Sequence, residues 1–258
     1  YKIEYPINYS NLEKTTNLLK NVYDKYLKNM NVYYSIIPDK NFYLDDDHLK
    51  INYDELKELV NKKFTNIEYI DIWNELSLEA YYKTDIHWRQ EHLEKVANKI
   101  TISMGNESLN STYEKQNVGK FYGTYYGQIA AEVEADDMYI LNNEITDSAV
   151  VYNYETNEVL GVYDTKNTND KYDIYLSGAT PLIGIKNQNV KNGKELLIFR
   201  DSFGSSLAPL LIEDYENIIL IDLRYISNII LDKFVEFKDN QDVLFIYSTM
   251  LLNQNILK

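Results

Sequence analysis

Four consecutive apolar residues, Leu196-Leu197-Ile198-Phe199, run straight into Arg200-Asp201-Ser202-Phe203-Gly204 and then into a helical pattern. A short strand with no polar face must be covered on both sides, as it is in a parallel sheet with helices above and below. The turn that follows sets Ser202 at the carboxyl edge of such a sheet, where open α/β folds bind ligands. The rest of the chain repeats this alternation. Val32 to Ile37 reads as a buried strand closed by Pro38-Asp39, and Ile67 to Ile72, Ile218 to Asp222 and Asp242 to Tyr247 read as further strands. Between them, apolar residues recur at helical spacing: Leu12, Leu18, Leu19 and Val22 within 10–29, Leu56, Leu59 and Val60 within 52–63, and Leu93, Val96, Ala97 and Ile100 within 88–103. Shorter helices are expected over 205–213, with Pro209 in its first turns, and over 227–234. The pattern predicts a three-layer α/β domain built on a mostly parallel sheet.

The texture changes between Phe121 and Ile185, where short aromatic and β-branched runs are separated by Asn, Asp, Gly and Thr. That is hairpin texture. The chain therefore divides into residues 1–120 as the first part of the α/β domain, 121–185 as a β-rich insertion, and 186–258 as the second part, with a polar loop expected from Asn106 to about Lys120. A length of 258 residues suits one such domain with an elaboration.

Composition removes several functions. A net charge of −14 argues against nucleic acid, whose phosphates need Lys and Arg contacts, and against docking on anionic lipid. With no cysteine, thiol catalysis, disulfides and cysteine-ligated zinc are excluded. No apolar run approaches the roughly 18 residues of a membrane span. The 25 tyrosines fit compositional bias ahead of a ring-lined sugar cleft. Asp45-Asp46-Asp47-His48 reads as a solvated turn rather than a metal site, and no metal or organic cofactor is expected. The sequence begins at Tyr1 rather than Met, so any export signal would lie upstream.

Two short motifs carry chemistry. Serine is a poor nucleophile until a base takes its proton and a carboxylate orients that base. Ser202 offers the hydroxyl, although Asp201 or Ser202 could merely cap the following helix. Asp85-Ile86-His87-Trp88 offers a carboxylate two residues before an imidazole, in a chain with only three histidines. That spacing lets Asp85 bond the His87 ring, and Trp88 could pack on it and limit water. Gly204 and Gly178 are candidate oxyanion positions, with turn glycine as the plainer role of each. Arg224 could clamp a substrate oxygen or neutralise Asp222 or Asp201, and His92 is expected on the far side of its helix, in solvent.

Tyr82-Lys83-Thr84-Asp85-Ile86-His87-Trp88 resembles the motif that names the DHHW family, with Ile86 in place of its first histidine. Leu197 to Leu207, Ile221-Asp222-Leu223-Arg224-Tyr225 and Phe121-Tyr122-Gly123-Thr124 are similar to further segments of that family. The family in turn resembles SGNH hydrolases, flavodoxin-like in architecture, and especially the catalytic domains of alginate O-acetyltransferases. The resemblance implies Ser202 as nucleophile, His87 as general base and Asp85 as its orienting acid. It further implies acyl-ester chemistry on an extracytoplasmic polysaccharide, with an acyl donor and a sugar acceptor as partners. Arg200 stands where the serine motif has glycine, which leaves open a non-catalytic carbohydrate-binding or surface protein on the same fold. An intracellular esterase is a third reading.

Overall fold

The computed structural model describes residues 5–45, 47–128, 133–164 and 170–258. The strands are β1 (Asn31–Ile37), β2 (Glu68–Tyr69), β3 (Glu114–Phe121), β4 (Asp136–Asn142), β5 (Val150–Asn153), β6 (Glu158–Leu160), β7 (Leu182–Lys186), β8 (Glu195–Arg200), β9 (Asn217–Ile221) and β10 (Asp242–Ser248). The helices are α1 (Tyr9–Val22), α2 (Tyr53–Lys63), α3 (Glu94–Ser103), α4 (Glu144–Ser148), α5 (Phe203–Leu207) and α6 (Thr249–Leu252). Eight strands form one sheet in the order β2-β1-β10-β8-β9-β7-β5-β6, and β3 pairs with β4 in a second, antiparallel sheet. From β2 to β9 every neighbour in the large sheet is parallel, whereas β7, β5 and β6 join antiparallel beyond β9. The fold is therefore a three-layer α/β sandwich with a mostly parallel sheet.

Burial explains the order. Strands β8 and β10, at the centre, are buried along nearly their whole length, in keeping with their unbroken apolar runs. Helix α1 packs against α2 and α6, and α3 packs against the turn that follows α5. The antiparallel strands β5, β6 and β7 widen the main sheet rather than standing apart from it.

Several elements differ from the sequence expectation. Residues 106–120 are not all loop, because β3 begins at Glu114; its side chains are mostly exposed, so its pattern is polar although its backbone pairs with β4. The helix expected from 88 starts only at Glu94, because Trp88 bridges to Tyr81 and the Arg89 N–H bonds the Ala80 carbonyl. After Ser202 the α-helix is short, and 3₁₀ turns continue over Ala208–Asp214 with Pro209 near their start. Residues 228–233 are likewise 3₁₀ rather than α, β2 keeps only two of the six residues expected, and α1 passes into a π turn at Tyr23–Leu27.

Candidate active site

The parallel strands β1, β8, β9 and β10 end on one edge of the sheet, and the site stands there. Strand β8 runs out at Arg200, and the chain turns into α5. Asp201 takes the structural work of that turn: it accepts the Phe203 N–H at 3.1 Å and, from β10, the Ser248 N–H at 2.9 Å and hydroxyl at 2.7 Å. The Ser202 side chain makes no capping bond. Its half-buried hydroxyl lies 2.7 Å from His87 Nε2 instead.

The imidazole arrives from the loop between β2 and α3. Its Nδ1 is 2.5 Å from Asp85 Oδ1, and the same oxygen accepts the His87 N–H at 3.0 Å. The other oxygen, Oδ2, accepts the Thr124 N–H at 2.8 Å. Burial alone would raise the Asp85 carboxyl. The hydrogen bond and charge of the His87 ring, with the Thr124 and His87 N–H groups, outweigh it and hold this carboxyl well below the ordinary carboxylate range. Asp85 thus stays ionised and accepts from Nδ1–H, and in the neutral tautomer that this bond selects Nε2 is the acceptor facing the serine hydroxyl.

The turn bearing Asp85 and His87 is held from several sides. Asp136 at the start of β4 accepts the Lys83 N–H (3.0 Å), the Thr84 N–H (2.8 Å) and the Thr84 hydroxyl (2.7 Å). The Gly123 N–H bonds Thr84 Oγ1 at 3.0 Å, and the Tyr125 N–H bonds the Thr84 carbonyl at 2.9 Å. Gly123 has to be glycine: a Cβ there would sit 2.2 Å from Asp85 Cβ and 2.6 Å from Asp85 Oδ2. Gly123→Ala should force the 121–125 segment off the Asp85 carboxylate and cost about 1–3 kcal/mol, read from urea unfolding. An unchanged unfolding midpoint would contradict that close approach.

Tyr172 stacks flat on the imidazole, ring centroids 3.8 Å apart at 12°, and Phe203 leans on it at 4.8 Å. Trp88 packs edge-on against Phe203 rather than on the imidazole, and is fully buried. Its indole N–H reaches the Phe203 carbonyl (3.0 Å) and Ser206 Oγ (2.8 Å), while Tyr172 Oη lies 2.8 Å from the same Ser206 hydroxyl. Ser206 therefore ties both aromatic supports to the serine-bearing helix. Ile86, between Asp85 and His87, packs against the main core.

The remaining expected residues lie around the Asp85–His87–Ser202 series. The Gly204 N–H bonds the Asp201 carbonyl at 3.1 Å, and a Cβ on Gly204 would meet Arg200 Cβ at 2.6 Å. Gly178, at φ +79°, bonds the Tyr175 carbonyl at 3.2 Å and lies hard against the Asp173 carboxyl. Arg224 binds Asp222 with Nε (2.9 Å) and Nη2 (2.6 Å). Arg200 is wholly buried, directed at Asp222 through Nη1 at 3.3 Å, and so does not block the Ser202 hydroxyl. His92 is exposed. Of the Asp45–His48 loop, Asp46 lies outside the described residues, as do 129–132 and 165–169 of the 121–185 segment. Among the described residues, no cluster of three or more His, Cys, Asp or Glu is arranged to hold a metal, and no helix is long and apolar enough to cross a membrane.

Sequence reasoning had passed over Lys40, Asp136, Tyr172 and Thr124. Only Thr124 carried a signal, through its place in the Phe121-Tyr122-Gly123-Thr124 segment.

A serine, a histidine and a carboxylate stand in hydrogen-bonded series at the carboxyl edge of a mostly parallel sheet, which makes this an α/β protein with a candidate serine-centred site. The family model for DHHW proteins matches residues 20–221, and the chain belongs to the DHHW family. Its fold is similar to that of a DHHW family protein from Eubacterium siraeum, with a TM-score of 0.77 at 20% identity over 94% of this chain and 85% of the other. It is also similar to Bacillus cereus PatB1 in a structure with a sulfonyl adduct, with a TM-score of 0.73 at 18% identity over 97% and 93% of the two chains. The O-acetyltransferase domain of Pseudomonas putida AlgJ shares the fold at a TM-score of 0.56 and 9% identity, over 95% and 84%. No curated relative matches the sequence.

Proposed function

We propose that this protein is a serine acyl-ester enzyme, an O-acetyltransferase that carries an acetyl group on Ser202 to a hydroxyl of an extracytoplasmic polysaccharide, with hydrolysis when water takes the acceptor's place. The observation that carries the reading is the continuous series Asp85 Oδ1, His87 Nδ1, His87 Nε2 and Ser202 Oγ, with links of 2.5 and 2.7 Å. In the first half-reaction Ser202 Oγ attacks the acetyl carbonyl of the donor while His87 Nε2 takes its proton. The tetrahedral oxyanion forms beside the backbone N–H of Ser202, and the donor's alcohol leaves with the proton held by His87. In the second, His87 removes the proton of a sugar hydroxyl, whose oxygen attacks acetyl-Ser202, and the proton returns to Ser202 Oγ as the ester departs. Asp85 keeps the Nδ1 proton in place throughout and balances the imidazolium. Nucleophile, base and orienting acid all come from the chain, so the scheme calls for no cofactor.

The O-acetyltransferase domain of AlgJ and the sulfonyl adduct on PatB1 support this reading, since electrophilic sulfonyl reagents label activated nucleophiles. The polysaccharide acceptor and the extracytoplasmic setting rest on the family's likeness to alginate O-acetyltransferases. The test is to treat the wild type with p-nitrophenyl acetate and map the modified residue by peptide mass spectrometry. The expected result is one acetyl group on Ser202. A protein that neither turns the ester over nor carries an acyl group at that position would overturn the proposal.

A further inference from the structure

Lys40 is one of the few lysines a folded chain buries, at 3% exposure, and nothing in the reaction scheme uses it. It follows β1 at the same sheet edge as Ser202. Its Nζ donates to the Tyr82 carbonyl at 2.7 Å and to the Asp85 carbonyl at 2.6 Å, the two ends of the turn that presents the Asp85 and His87 side chains. The ammonium also stands 4.7 Å from the ring centroid of Tyr125, whose own N–H is bonded to the Thr84 carbonyl inside that turn. Lys40 is itself fixed. Its neighbour Asp39 accepts hydrogen bonds from the Asn41 N–H, the Tyr53 hydroxyl and the Thr249 hydroxyl, which seats the start of a 3₁₀ turn over Lys40–Tyr43 on α2 and α6.

We propose that Lys40 is a positioning residue for the triad: its ammonium cross-ties the Tyr82 and Asp85 carbonyls and thereby holds the Asp85–His87 turn in register with Ser202. It touches no reacting atom and acts through the backbone of that turn. The inference rests on the serine-enzyme reading for its activity measurements, but not for its spectroscopic one.

The electrostatic surroundings give the device a pH dependence. Burial pushes the Lys40 ammonium down to about 8, against the opposing pull of Asp85 on the turn, Asp136 on β4 and Asp39 beside it. Lys40 also lines a cleft of about 360 Å³ that carries Glu79, Lys83, Arg89 and His92, so water and small solutes reach it from that side. Below pH 8 the group is charged and its bonds are charge-assisted. As pH rises through 8 the neutral amine keeps N–H donors but loses the charge that strengthens them and the attraction to the three carboxylates. Activity should therefore fall several-fold across this range.

The experiment compares wild type, Lys40→Met and Lys40→Ala in p-nitrophenyl acetate turnover from pH 6 to 9.5, with Ser202→Ala as the blank. Lys40→Met should lower kcat by about a hundredfold with KM little changed, as expected when a reacting group is misplaced, and should lose the alkaline fall. In Lys40→Ala, n-propylamine entering through the cleft should restore part of kcat. The low-field proton NMR signal of the His87–Asp85 bond, assigned with His87→Gln, should shift or vanish in Lys40→Met. A Lys40→Met protein with wild-type kcat, pH profile and His87 proton signal overturns the proposal. Should Lys40→Met fail to fold, a wild type with no alkaline fall does the same. Should wild type prove inactive, the catalytic reading falls, and the NMR signal alone decides the role of Lys40.

Discussion

Ser202→Ala and His87→Ala should each abolish turnover of a model acetyl ester, with losses on the order of 10⁴-fold or more, and combining them should add almost nothing. The non-additivity is the informative part. Ser202 Oγ and His87 Nε2 are 2.7 Å apart, and each is useful only through the other: a hydroxyl without the base keeps its proton, and the base without the hydroxyl has nothing to deprotonate. Both variants should keep the wild-type fold. Ser202 makes no capping bond for α5, because Asp201 and Ser248 secure that turn, so removing its oxygen releases no structural contact there. His87→Ala withdraws a ring from between Tyr172 and Phe203, and its melting temperature should drop more than that of Ser202→Ala. Residual activity in Ser202→Ala equal to wild type would place the chemistry elsewhere. Loss in Ser202→Ala without loss in His87→Ala would separate the base from this imidazole.

The parts of the site legible in the sequence are those made by local chain geometry. An Asp two residues before a His can reach its ring within one turn, and an apolar strand running into Asp-Ser forecasts a hydroxyl at the sheet's carboxyl edge. Ser202 and His87 lie 115 positions apart, yet each motif announced its own strand-side junction, so their meeting could be expected. The supports could not be read, because their meaning is tertiary. Lys40 is 45 positions from Asp85, and Asp136 is 52 from Thr84. Either residue alone looks like ordinary surface charge. Whether Asp201 or Ser202 would cap α5 was also undecidable, since both have the right side chain; the hydrogen bonds that Asp201 accepts from the Phe203 N–H and from Ser248 on β10 decide it. In the fold, the buried strands β1, β8, β9 and β10 were visible through their apolar runs. Strand β3 was hidden because most of its side chains face solvent.

The largest stability effect should come from Asp222. This carboxylate lies fully buried just after β9, where it accepts Arg224 Nε at 2.9 Å, Arg224 Nη2 at 2.6 Å, the Arg224 N–H at 3.0 Å and Arg200 Nη1 at 3.3 Å. Arg200 is also fully buried, and its Nε and Nη2 find no acceptor among the described residues, so Asp222 is the main counter-charge for a guanidinium that cannot reach water. Asp222→Ala leaves that cation uncompensated, and unfolding in urea should show a loss of about 3–5 kcal/mol. Arg224 will contribute little to the loss, because its side chain is 20% exposed and can turn to solvent. The compensating change follows from the same reasoning. If the penalty is the stranded charge rather than the missing carboxylate, Arg200→Met combined with Asp222→Leu should recover most of the stability, because an apolar pair of similar volume incurs no desolvation cost. The double variant should still require glycine at 204, because a Cβ there would meet the Cβ of residue 200 at 2.6 Å, a closeness that depends on the backbone and not on the charge. A double variant no more stable than Asp222→Ala would refute this account, and would mean that the carboxylate's bonds to Arg224 hold the end of β9 in place.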